Sequence, residues 1–262
     1  MTRKIHAGVV QFDVRPGAVE ENLKAALDGI RALADVGADL AVLPELWSGG
    51  FHARVAADAR QTPAVLDTIA RAAADLGLVV AGSLPEAGEQ GVYNTLYVHD
   101  SNGALAGAYH KVHLFSPTGE DRLFLPGDRI VTCRTAAGFF GLMICFDIRF
   151  PELCRAMALD GVDGVIVSAQ WPASRAHHWE ALLTARAIEN QVFVVGANRC
   201  GQDKNLVYAG GSRVITAVGQ TVAQAGDTEA GVIHAVLDPA EQDRFRRDIP
   251  CLRQRRPAVY NS

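Results

Sequence analysis

The five cysteines, at positions 133, 145, 154, 200 and 251, include no C-x-x-C pair and make an odd count. That excludes a disulfide framework or a zinc knuckle as the organising device, and a reducing compartment fits such a chain. No apolar run approaches the ~20 residues that cross a bilayer. The opening stretch Met1-Thr2-Arg3-Lys4-Ile5-His6 also lacks the apolar core of a signal peptide. A membrane partner is not expected, and the chain reads as soluble and cytoplasmic. Basic charge is not in excess either, since 25 Lys and Arg stand against 29 Asp and Glu for a net charge of −4. Nucleic acid is therefore not an expected partner. The basic cluster Arg253-Gln254-Arg255-Arg256 reads as a solvated terminal charge run. Ser/Gly-rich linkers, repeats and low-complexity tracts are missing too, so residues 1–262 read as one domain with a short tail from about residue 250.

What is present is an ordinary globular balance, 49% hydrophobic and 21% charged, enough for a sizeable core. Residues 5–12 read as a strand, and residues 19–34 as a helix with Leu23, Ala26, Leu27, Ile30 and Leu33 at helical spacing. A strand over 40–43, a helix over 63–76 and a strand over 78–82 continue a βαβαβ rhythm. Residues 92–110 read as a hairpin around Asn102-Gly103, because Asn-Gly suits the left-handed backbone of a tight turn. Residues 112–127 are irregular, and loops of that length are usually functional. Alternation resumes with a helix over 151–159, a strand over 164–168, a helix over 175–189 and a strand over 192–197. Short strands fill 206–237, with a helix after Pro239. The fold class is α/β with mixed parallel and antiparallel strands.

Cys145 sits where the apolar run Gly138-Phe139-Phe140-Gly141-Leu142-Met143-Ile144 meets the turn Asp147-Ile148-Arg149-Phe150-Pro151-Glu152. Ligands in α/β folds gather beyond the carboxyl ends of such strands, so this thiol is placed like a nucleophile. Position alone favours a buried structural cysteine. A thiol is only slightly ionised at neutral pH and needs a base or a neighbouring cation to attack. Two ionisable residues end other strands: Glu45 after Leu43-Pro44, and Lys111 after Tyr109-His110. Taken singly, Glu45 reads as a helix cap and Lys111 as an edge charge.

Together these residues form three signatures, in order: Pro44-Glu45 at a strand end, His110-Lys111-Val112-His113-Leu114-Phe115, and Cys145-Phe146-Asp147-Ile148-Arg149-Phe150-Pro151-Glu152. In these the chain resembles the nitrilase, or carbon-nitrogen hydrolase, superfamily, from about residue 5 to residue 257. The resemblance implies a Glu-Lys-Cys triad at Glu45, Lys111 and Cys145. It also implies a further glutamate at Glu120, ahead of Leu125-Pro126-Gly127 in the irregular loop. It implies a four-layer αββα sandwich, which composition and periodicity do not reveal, and subunits that pair through the helices over 151–159 and 175–189. A homodimer or higher homo-oligomer is expected. Gln170-Trp171-Pro172 with the stretch from His178 to Gln191 most resembles the omega-amidases, which act on 2-oxoglutaramate or 2-oxosuccinamate. The expected partner is thus a small-molecule amide. Relatives with the same triad act on N-carbamoyl amino acids, aliphatic amides and nitriles.

The chemistry follows from residue types. Cys145 is the expected nucleophile, because thiolate attack and thioester hydrolysis replace one hard step with two easier ones. Glu45 is the expected base and acid, Lys111 with the Phe146 backbone N–H the expected oxyanion donors, and Glu120 an orienting group. No step calls for a metal or organic cofactor. A distal carboxylate needs a cation, and Arg149, Arg175 and Arg199 are candidates, although an internal ion pair bracing the loop is the plainer role for Arg149. Trp171, Trp47 and Phe51 are candidate pocket walls or ordinary core. His177, His178 and Glu180 invite a metal reading, but adjacent helical residues point about 100° apart. Asn198-Arg199-Cys200 reads as either pocket rim or turn, and His110 or His113 would permit a Cys-His dyad. Outside this class stand a non-catalytic interaction module that keeps the fold, and a redox-sensing thiol.

Overall fold

The computed structural model describes residues 3–203 and 206–260, so both ends of the stretch read as one domain, 1–262, lie outside it. The chain begins β1 (Ile5–Gln11), α1 (Val19–Asp35), β2 (Leu40–Val42), α2 (Val55–Ala59), α3 (Thr62–Leu76), β3 (Val79–Ala87), β4 (Val92–His99) and β5 (Leu105–His110). It continues with β6 (Thr132–Thr135), β7 (Gly138–Ile144), α4 (Pro151–Asp160), β8 (Gly164–Ala169), α5 (Ala176–Asn190) and β9 (Phe193–Asn198). The last part holds β10 (Gln202–Asp203), β11 (Leu206–Val207), β12 (Arg213–Ile215), β13 (Thr221–Gln224), β14 (Gly231–Leu237), α6 (Pro239–Asp248) and α7 (Pro257–Tyr260). No helix among the described residues is long and apolar enough to cross a membrane.

Two six-stranded sheets form, ordered β14-β1-β2-β3-β4-β5 and β13-β12-β9-β8-β7-β6. In the first, β1, β2 and β3 are parallel, with Ala7 beside Leu40 and Leu40 beside Val79. In the second, β7, β8 and β9 are parallel, with Leu142 beside Ile166 and Ile166 beside Val195. Antiparallel strands flank each trio. The sheets pack face to face, β1 against β9 and β4 against β7. The strands' period of two drives this arrangement: Ala7 and Val9 point into the core shared with the second sheet, while Val10 points to the outer helices. There Ile30 and Leu33 of α1 and Val65 and Ile69 of α3 bury an apolar stripe. On the far side α4 and α5 cover the second sheet with Met157, Trp179 and Leu183. The result is a four-layer αββα sandwich. α1 lies very close to β1, because a Cβ built on Gly29 would meet Val10 at 2.3 Å.

The hairpin between β4 and β5 turns where Asn102-Gly103 places it, with Gly103 at φ +82° and its N–H donating to the Asp100 carbonyl at 2.8 Å. The irregular stretch after β5 holds two single 3-10 turns, Ser116–Thr118 and Glu120–Arg122. Because the two parallel trios end near one another, segments following β2, β7 and β8 converge beyond their carboxyl ends. The Ser168 hydroxyl donates to the Leu43 carbonyl at 2.8 Å, and the Gln170 side-chain amide donates to the Glu45 carbonyl at 2.7 Å.

Candidate active site

Cys145 follows β7 and opens a 3-10 turn over Cys145–Arg149. Its φ is +45°, a left-handed conformation unusual for a residue with a side chain. Asp147 holds that bend from beneath. One carboxylate oxygen accepts from the Ile144 N–H and the Tyr109 hydroxyl, both at 2.9 Å. The other accepts from the His113 N–H at 3.1 Å, with His113 Nδ1 at 2.8 Å. His113 also stacks on Phe150, ring centres 3.6 Å apart. Glu45 shows the same local device: Leu46, the next residue, has φ +43° and donates its N–H to the Ser83 hydroxyl at 2.7 Å. Each strand end thus turns sharply, which throws the functional side chain into the cleft between the sheets.

Lys111 follows β5 and is buried, as are Glu45 and Glu120. Lys111 Nζ donates to Glu45 Oε1 at 2.7 Å and to the two Glu120 oxygens at 2.8 and 2.9 Å. Asn94 Nδ2 donates to Glu45 Oε1 at 2.9 Å and to Glu120 Oε1 at 3.3 Å. The Gln170 N–H donates to Glu45 Oε2 at 3.0 Å, and the Phe115 N–H to Glu120 Oε2 at 2.7 Å. The Cys145 thiol is also near enough to the Glu45 carboxylate to help hold its pKa down.

Burial raises the Glu45 carboxyl above its ordinary value; Lys111 pulls it back, and Glu120 pushes it further up. Burial works against the Lys111 charge, but Glu45 and Glu120 outweigh it and hold the ammonium more basic than usual. The Cys145 thiol is raised by burial and by Glu45, with Lys111 opposing. The resting thiol is therefore protonated beside a carboxylate that can take its proton and a fixed ammonium. Such a cluster can form a thiolate only as a proton moves to Glu45. Phe146 lies at the start of the 3-10 turn, where N–H groups lack a partner within the turn.

These groups open into a pocket of about 410 Å³ lined also by Phe51, Phe115, Phe146, Trp171 and Tyr208. Three arginines, Arg122, Arg149 and Arg175, line it as well, and none of them forms an ion pair among the described residues. Arg149 lies 4.6 Å over the Trp171 ring and bonds His178 Nδ1 at 3.2 Å. The expected ion pair bracing the loop is therefore replaced by a cation-π contact that leaves the guanidinium facing the pocket. Burial and the neighbouring Arg175 both lower its basicity. Arg175 stands 5.7 Å over Phe115, and its carbonyl accepts from Trp171 Nε1 at 2.8 Å.

Several sequence expectations resolve differently. Arg199 does not line the pocket; buried, it donates to Asp13 Oδ1 at 2.9 Å and to Gln170 Oε1 at 3.1 Å, so it is no free partner for a carboxylate. Trp47 packs beneath α1 and α3 rather than in the pocket, because the reversed backbone at Leu46 sends it to the outer layer. Asn198 is neither rim nor turn: it ends β9, accepts the Trp171 N–H at 2.7 Å and donates to the Gly210 carbonyl at 2.7 Å. His110 faces Glu86 at 2.9 Å and His113 faces Asp147, so neither is paired with the thiol. Glu180 pairs with Arg213 at 3.3 Å. The structure also brings Asn94, Phe115, Gln170, Tyr208 and Arg122 to the site, none singled out in the sequence. Phe115 and Gln170 belong to segments that marked the family, without a role of their own assigned there; Asn94, Tyr208 and Arg122 carried no such signal.

Fold and site together define the class: a four-layer αββα sandwich whose strand ends bring a thiol, a carboxylate and an ammonium into one pocket. The model of the carbon-nitrogen hydrolase family matches residues 6–247, and the chain belongs to that family. It is 34% identical over 264 residues to the 2-oxoglutaramate amidase of Bacillus subtilis (strain 168), covering 96% of this chain and 97% of the relative. To omega-amidase YafV of Escherichia coli (strain K12) it is 35% identical over 215 residues, covering 82% of this chain and 83% of that one. A variant of the Nesterenkonia sp. AN1 amidase superposes with a TM-score of 0.87 at 28% identity, covering 98% and 95% of the two chains. That structure shows covalent addition of the acetamide moiety of fluoroacetamide at the active-site cysteine.

Proposed function

We propose that the protein is an omega-amidase that hydrolyses the terminal amide of a small omega-amido acid, of the 2-oxoglutaramate or 2-oxosuccinamate type, to a carboxylate and ammonia. The observation that carries the reading is one pocket holding both halves of the requirement. The buried Glu45 and Lys111 and the partly exposed Cys145 line one wall of it and suit an amide. Arg149 and Arg175, which form no ion pair among the described residues, offer a carboxylate two guanidinium groups. The names carried by the Bacillus and Escherichia relatives support the same substrate class.

Cys145 Sγ attacks the amide carbon as its proton passes to Glu45, forming a C–S bond and an oxyanion. Lys111 Nζ and the Phe146 N–H receive the oxyanion. An ammonium has three donors, and carboxylate oxygens occupy all of them at rest. Lys111 therefore turns one N–H away from Glu120, which keeps the other contact. Glu45 returns its proton to the nitrogen, the C–N bond breaks and ammonia departs. Water then attacks the thioester with Glu45 again as base, releasing the acid and restoring the thiol. Glu120 and Asn94 act by holding Lys111 and Glu45 in register.

This reading includes a single domain over 1–262 and a cytoplasmic setting, without nucleic-acid or membrane partners. It also includes a homodimer or higher homo-oligomer joined through α4 and α5, whose Leu159 and Ile188 are exposed. The test is ammonia release from 2-oxoglutaramate, an aliphatic amide, an N-carbamoyl amino acid and a nitrile. The omega-amido acid is expected to give the highest kcat/KM. Preference for a substrate without a carboxylate would overturn the assignment.

A further inference from the structure

Tyr208 lies in the loop between β11 and β12. It is strapped across the site wall: it bridges Pro172, its N–H donates to the Gly201 carbonyl at 2.9 Å, and the Ala209 N–H donates to the Trp171 carbonyl at 2.8 Å. Its ring is backed by the Arg199 guanidinium, 4.1 Å from the ring centre. Arg199 cannot swing away, because Asp13 and Gln170 hold it, and Gln170 in turn holds Glu45. The phenol is thus fixed on a rigid stack that reaches the catalytic carboxylate.

The residue is only 4% exposed and lines the pocket. Its hydroxyl makes no hydrogen bond among the described residues. Burial raises it to about 12, Arg199 pulls it down, and Glu45 and Cys145 are among the groups pushing it up. The fields of the reacting groups therefore reach it, and at neutral pH it remains a protonated donor. The hydroxyl is not among the buried polar atoms left without a partner, so it stays accessible, and the pocket that the residue lines is where substrate binds. A cation beneath the ring withdraws electron density and strengthens the O–H as a donor.

We propose that Tyr208 is a substrate-binding residue whose hydroxyl donates to an oxygen acceptor on the acyl chain, the 2-oxo group of a 2-oxo omega-amido acid. This rests on the omega-amidase reading and deepens it. Arg149 and Arg175 bind the carboxylate, whereas Tyr208 separates oxo acids from plain dicarboxylic monoamides. A site built to hydrogen-bond a substrate group discriminates strongly against the analogue that lacks it.

The experiment compares kcat/KM for 2-oxoglutaramate and for glutaramate, which has the same length without the oxo group, in the wild type and Tyr208→Phe. Phenylalanine keeps the ring and its stack, and unchanged thermal melting checks that the fold is kept. The wild type is expected to prefer the oxo compound, and the variant to lose about 10- to 100-fold of that preference. Equal losses on both substrates, or an unchanged preference, would overturn the assignment of Tyr208 while leaving the omega-amidase reading intact. A wild type inactive on 2-oxoglutaramate would remove that reading, and this proposal with it.

Discussion

Replacing Lys111 by methionine is the sharpest perturbation of the buried cluster. It keeps the volume of the stem and removes one charge that two buried carboxylates share, at 2.7, 2.8 and 2.9 Å. Removing one partner from a buried ionic network costs about 3–5 kcal/mol, because the remaining charge is left uncompensated. For a chain of this size, about 2–4 °C per kcal/mol puts the fall in Tm at about 6–20 °C. Turnover is lost by about 100- to 1000-fold or more, since an oxyanion donor goes as well. The sign of the pH dependence separates this account from simple misfolding. Lys111 is the main influence lowering a Glu45 carboxyl that burial raises, so its removal raises the folded value further. Stability from a group raised on folding is complete below its unfolded value and is lost as pH rises through its folded value. The variant's deficit against the wild type, followed by thermal melting from about pH 7 towards pH 5, therefore shrinks on acidification. Adding Glu120→Gln, which removes an orphaned charge, restores part of the loss at neutral pH. A Tm unchanged from the wild type, or a deficit that widens as pH falls, would refute the reasoning.

Arg149→Gln should raise KM for a carboxylate-bearing amide by about 10- to 100-fold, the worth of a charged hydrogen bond. Steady-state kinetics should show kcat changing less than KM, and a neutral amide of equal length suffering a smaller loss. Asp147→Asn disturbs the acceptor that fixes the Cys145 bend through Ile144, Tyr109 and His113. Loss of about 100-fold in kcat is expected, with thiol alkylation rates changed in the free enzyme; an unaltered kcat would remove Asp147 from the site. Because Glu45 is raised above its ordinary value of 4.5, the acid limb of kcat/KM should lie above that value. Below its pKa the carboxyl is protonated and cannot take the thiol proton, so an acid limb at or below 4.5 would contradict Glu45 as the base.

The parallel strands were the most legible part of the chain. Runs such as 138–144 and 164–167 carry no polar side chain because the strands lie largely between other layers, and the ends of β7 and β8 mark where Cys145 and Gln170 emerge. That same two-sided burial hides how many sheets there are: nothing in a continuous apolar run tells a sheet facing a helix from a sheet facing a sheet. Contacts made at long range were not legible either. Arg199 reads as a candidate partner for a substrate carboxylate until Asp13, 186 residues away, is in place, and Tyr109 becomes a site residue only through Asp147. Trp47 follows a strand end like Trp171, yet the left-handed turn at Leu46 reverses its direction. Asn94 sits on a strand whose facing is set by its register, opposite Pro85, which local pattern does not determine.

The most direct test is intact-protein mass spectrometry after brief incubation with 2-oxoglutaramate and an acid quench. If Cys145 is the acyl acceptor, the protein gains the mass of the substrate less ammonia, mapped to the peptide carrying Cys145. Cys145→Ala gains nothing and turns over no substrate while melting like the wild type. Turnover retained by a metal-free Cys145→Ala sample, or an adduct on any other residue, would contradict the account.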